Sequence, residues 1–192
     1  MRSVKNYYSL FILTMVSIFA FSQTLTAQGA LSAEDGKTLA EFENQAKAYS
    51  RMREDLEAKL PKMPKDATAD QIETHKVAFQ KLVLQARAGA KQGEIFTPAA
   101  GVLIRKIIKT EFGGKDGANL RKTVLEAENK DVAVKVNVAY PDSKEQVEMP
   151  PALLLVLPQL PKQLRYRFVG TNLLLVDREN GLIIDYLTNA LP

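Results

Sequence analysis

The chain has no cysteine, no tryptophan and one histidine, His75, among its 192 residues. Without cysteine there is no disulfide scaffold, thiolate zinc site, iron–sulfur cluster, cysteine nucleophile or lipid-modified N-terminal cysteine. One histidine excludes a two- or three-histidine metal site within a single chain. The common catalytic signatures are missing as well. There is no Gly-x-Ser-x-Gly elbow, no Walker loop, no Gly-x-Gly-x-x-Gly after a strand and no His-Glu-x-x-His. These gaps remove the commonest hydrolases and nucleotide enzymes.

What is present is ordinary globular composition, 46% hydrophobic and 25% charged, which excludes wholesale disorder. The N-terminus reads as an address. Arg2 and Lys5 precede an apolar run from Leu10 to Phe21, which closes on Ser22, Thr24, Thr26 and Ala27. That is the layout of a secretory signal peptide, and the run is shorter than the ~20 residues of a bilayer span. Cleavage is expected after Ala27, with Gly29 as the alternative, and no membrane span is expected afterwards. Removing residues 1–27 takes away two positive charges and leaves 24 basic against 22 acidic residues. So small a surplus gives little reason to expect nucleic acid as a partner. The expected location is the periplasm or the exterior of a bacterium.

Residues 28–130 read as helical. Leu39, Phe42, Ala46, Tyr49, Leu56 and Leu60 recur at spacings of three and four, with Arg53 in one skipped position. Pro61 and Pro64 end that helix. Thr68 with Gln71 forms a capping box for a second helix bearing Ile72, His75, Phe79, Leu82 and Ala86 on one face. The two predict an antiparallel hairpin on the order of 35 Å long. Thr97-Pro98 starts a third helix, apolar through Val102, Leu103, Ile104, Ile107, Ile108 and Phe112, and ended by Gly113-Gly114. A fourth is expected over 118–128.

Residues 131–192 change period. Val132, Val134, Val136 and Val138 alternate with other residues and predict a half-buried strand. A short helix is expected over Ala152 to Leu157, bracketed by prolines. Leu164, Tyr166 and Phe168 alternate with Arg165 and Arg167. Leu173 to Val176 is apolar on both faces, and Arg178-Glu179-Asn180-Gly181 makes a turn before Leu182 to Leu187. The fold class is therefore α+β. It comprises an N-terminal helical hairpin, further helices, and a small antiparallel sheet of about four strands with a C-terminal meander.

Few residues offer chemistry. His75 reads as a general base or ligand, or as a packed residue of the apolar stripe. Asp177 and Asp185 flank the last turn and read as an acid–base pair, or as a strand end and a partner of Arg165 or Arg167. Arg105, Lys106, Lys109, Lys115, Arg121 and Lys122 form a basic stretch that suits an anionic partner or a solvated face. No cofactor and no catalytic residue is assigned; Asp177, Asp185, Arg167 and His75 are the candidates.

The run Pro150-Pro151, Leu157-Pro158, Leu160-Pro161, Tyr166-Arg167-Phe168-Val169-Gly170 and Leu173 to Asp177 resembles uncharacterised exported bacterial proteins over roughly the last 60 residues. Residues 166–184 are also similar to the hairpin of the periplasmic RcnB-like nickel/cobalt homeostasis family. That second resemblance implies a metal-responsive periplasmic protein. The residues themselves favour a non-catalytic module that uses part of the first helical stripe for a protein partner or a second copy. The rival is a carboxylate enzyme acting on envelope polymer.

Overall fold

The three longest helices each start where a side chain satisfies one of the first free N–H groups. In a computed structural model of the chain, which describes residues 32–114, 117–125, 132–141 and 149–191, α1 spans Ala33–Glu57. Ser32 caps it in a capping box with Asp35. Helix α2 spans Ala69–Ala86 behind the expected Thr68–Gln71 box. Helix α3 runs Pro98–Phe112 from the Thr97 cap, α4 Gly117–Leu125, and α5 Pro151–Val156. The expected signal peptide and residues 126–130 of the expected fourth helix lie outside the described residues.

Helices α1 and α2 run antiparallel. Tyr49 lies against Arg87, Arg53 against Phe79, and Leu60 beside His75, so one helix descends as the other climbs. No helix among the described residues is long and apolar enough to cross a membrane.

Strands β1 (Leu164–Val169), β2 (Asn172–Asp177) and β3 (Ile183–Leu187) form a three-stranded antiparallel sheet in the order β1-β2-β3. Gly170, at φ +56°, turns the first hairpin, and Gly181, at φ +71°, the second. Both conformations suit residues without a Cβ. Strand β2 is central and buried on both faces, as its sequence requires. Leu173 and Leu175 join the core under the helices; Leu174 and Val176 join a smaller core on the opposite face.

The expected fourth strand is corrected. Val132 and Val134 do pack apolar side chains, but as an irregular layer across the far face of the sheet, beside Tyr140, Val169 and Ile183. The segment turns at residues 135–138, with Asn137 at φ +63°. An antiparallel bridge, Ala139 to Leu182, and a hydrogen bond from the Asn137 N–H to the Ile183 carbonyl at 2.9 Å tie it to the sheet. Period 2 here reports burial on one side and not membership of a ladder.

The stripe of α1 turns inward at four of its positions. Phe42, Ala46, Tyr49 and Arg53 are all buried within the chain. The Phe42 ring packs against Phe96 at 5.3 Å and Tyr166 at 6.5 Å between centroids. On α2 the buried positions are Phe79 and Val83, while Ile72 stands in solvent.

Candidate functional site

The polar residues of α1 meet the β2–β3 turn inside the protein. Asp177 ends β2 with no exposed surface. Its Oδ2 accepts a hydrogen bond from the Tyr49 hydroxyl at 2.7 Å and lies 3.0 Å from Arg53 Nε. Its Oδ1 accepts from the backbone N–H of Glu179 at 2.9 Å and of Asn180 at 3.2 Å, fixing the turn. The Arg53 guanidinium also pairs with Glu179 and with Glu57, and stacks over the Phe79 ring at 4.8 Å. One arginine thus answers carboxylates from β2, from the turn and from its own helix.

The Tyr49 phenol is pushed well above its ordinary pKa. Burial disfavours phenolate first, then the negative charge of Asp177 and the hydrogen bond to it; Arg87 and Arg53 oppose the shift. Tyr49 therefore stays a proton donor to Asp177 at any physiological pH.

Asp185 forms a second, separate anchor. It too is fully buried. Its carboxylate accepts from the backbone N–H groups of Gly93 at 2.9 Å, Ile95 at 2.8 Å, Phe96 at 2.8 Å and Tyr186 at 2.8 Å. A β-bulge makes this geometry. Leu175 pairs with Asp185 and Val176 with Ile183, leaving Ile184 as the extra residue. The bulge resets the alternation, so Asp185 faces the helix layer and the loop between α2 and α3. Arg165 and Arg167 pair with Val176 and Leu174, which face the other way. The sheet register thus separates Asp185 from the two arginines expected beside it.

His75 lies at the far end of the first network. Its Nδ1 is 3.9 Å from Glu179 Oε1, and its side chain is largely covered. It separates two shallow clefts at the end of the helical hairpin. One, of about 440 Å³, is mostly apolar, with Leu60, Met63 and Pro64. The other includes Glu54, Glu57 and Glu179. Arg167 lies on β1 beside a third groove, of about 460 Å³, next to α5.

The structure thus places the four candidates at three sites. Asp177 and His75 share one network through Arg53 and Glu179; Asp185 and Arg167 stand apart from it. Sequence reasoning missed Tyr49, Arg53 and Glu179 as a unit. The signal was there: an arginine at a buried helical position demands a carboxylate partner. It could not say which carboxylate. Of the basic stretch, Arg105 donates to the backbone carbonyls of Thr188 and Asn189, so it latches the C-terminal segment. Lys106 reaches Asp35 at 3.9 Å, and Lys115 lies outside the described residues. Among the described residues no group of three His, Cys, Asp or Glu is placed to hold a metal ion.

Fold and site together define a small α+β protein with helices on one face of an antiparallel meander, held by two buried carboxylates. No protein-family model, no curated protein and no solved structure matches the chain.

Proposed function

We propose that this chain is an exported bacterial protein that works by binding and not by catalysis. One observation carries the non-catalytic half. The two carboxylates best suited to acid–base chemistry, Asp177 and Asp185, are fully buried and already accept hydrogen bonds from the chain's own donors. A general acid or base must reach its substrate within hydrogen-bond distance. Spent in this way, both residues are anchors. Export rests on the N-terminal charged and apolar segments.

The test has two readouts. Fractionated cells should yield the protein outside the cytoplasm, and N-terminal sequencing should start at Gln28 or at Ala30. Recovery from the cytoplasm with Met1 or Arg2 in place would end the export reading. Asp185→Asn and Asp177→Asn should each lower stability while leaving any binding by the folded protein unchanged. Loss of a turnover activity in folded Asp185→Asn protein would return the carboxylate-enzyme reading.

A further inference from the structure

Helix α5 holds apolar side chains out in water. Leu155 is 86% exposed and Leu154 53%. They cannot turn inward, because Leu153 and Leu157 on the other side of the same turn are locked into the core. Pro150 before the helix, Pro151 at its first position and Pro158 after it stiffen the segment further. Residues 150–158 carry no charge. Next to Leu154 opens the groove of about 460 Å³ noted above. Its described lining residues include Lys162, Arg165, Arg167 and Arg178 and no carboxylate. Lys162 and Arg178 are exposed. Arg178 donates its Nε to the Leu164 carbonyl, which fixes the guanidinium at the groove.

We propose that this face docks on an anionic lipid surface. Leu154 and Leu155 enter the acyl boundary, and Lys162 and Arg178 meet lipid phosphates. The inference deepens the binding reading above by naming a class of partner. Rigidly presented leucines beside exposed cations match a layer whose charge and apolar zone lie side by side. A free anion would use the cations and leave both leucines in water. Because the leucines are already held outward, little conformational entropy remains to be lost on docking.

The experiment is co-sedimentation of purified protein, with and without residues 1–27, with phosphatidylglycerol–phosphatidylcholine vesicles and with phosphatidylcholine vesicles. Binding is expected to the anionic vesicles, weakening as salt rises. Leu155→Ser and Leu154→Ser should each weaken it by about tenfold, the loss expected for one leucine's burial. Lys162→Gln should weaken it by about fivefold and flatten the salt dependence. All three positions are exposed, so circular dichroism should show unchanged folding. No binding to either vesicle, or equal binding to both, overturns the proposal. Binding of inorganic phosphate in calorimetry, with the leucine variants unaffected on vesicles, overturns it in favour of a free-anion site. Self-association in light scattering that Leu155→Ser abolishes, without vesicle binding, overturns the lipid assignment and leaves the binding reading standing.

Discussion

Tyr166 is buried with its hydroxyl donating to the Pro158 carbonyl at 3.0 Å. Burial, and then the negative charge of Glu43, raise its pKa well above the ordinary value. Tyr49 is shifted in the same direction. The sign follows from which state keeps its protons. Below about pH 10 both phenols are neutral in folded and unfolded chains, and their contribution is intact. Above it the unfolded chain releases protons that the folded chain keeps, so stability falls as pH rises. The slope is about 1.4 kcal/mol per pH unit for each such tyrosine. Tyr166→Phe should cost about 1 kcal/mol at neutral pH through its lost hydrogen bond. Its stability should then fall less steeply than the parent's above about pH 10. Urea denaturation at a series of alkaline pH values reads both effects, and parallel curves would refute the assignment. Asp185→Asn belongs to the same scale. An amide replaces one acceptor oxygen with a donor that faces backbone N–H groups, so a loss of about 3 kcal/mol is expected. A change below about 0.5 kcal/mol, the range of ordinary surface substitutions, would show that Asp185 is not an anchor.

Among the elements, the segment over the far face of the sheet depends most on one residue. Asn137 sits in the left-handed region, its side-chain amide donates to the Arg87 carbonyl at 2.7 Å, and its Oδ1 accepts from Arg87 Nε at 3.2 Å. Asn137→Ala removes both bonds and leaves a Cβ in a conformation that costs about 1–2 kcal/mol, without the polar group that offsets it. Asn137→Gly removes the bonds but also the Cβ, so the left-handed conformation carries no strain. Alanine should therefore be the more damaging by about 1 kcal/mol, read from urea midpoints. Equal midpoints would mean that the backbone strain is relieved elsewhere. The helix starts at Thr68 and Thr97 were legible because capping is local: an oxygen three residues from an unsatisfied N–H. The valine segment was misread as a strand because alternation records burial on one side, which a ladder and a draped segment share. The reset at Ile184 was invisible because a bulge is a relation between two strands.

For the molecule as a whole, Phe42, Ala46 and Tyr49 of the first helical stripe are core. Phe42→Ala should cost about 3–5 kcal/mol, a large part of the ~5–15 kcal/mol of a typical domain. Phe42→Asp should leave no folded protein, seen as loss of near-ultraviolet dichroism. The exposed Val77 on α2 supplies the control: Val77→Asp should leave the fold intact. Folded, soluble Phe42→Asp protein would mean that α1 packs elsewhere.

The sequence by itself determined the elements and their order: helices first, a meander last, and a central strand apolar on both faces. It did so because caps, prolines, turn glycines and periodicity act over a few residues. Only the tertiary structure decided which charges meet. Arg53 finds Asp177 and Glu179 more than a hundred residues away. Asp185 finds the N–H groups of a loop about ninety residues upstream. Tertiary packing also decided that α5 turns Leu153 inward and Leu155 outward. A leucine's hydrophobicity is the same in either place, and its neighbours alone determine whether it holds the fold together or faces a partner.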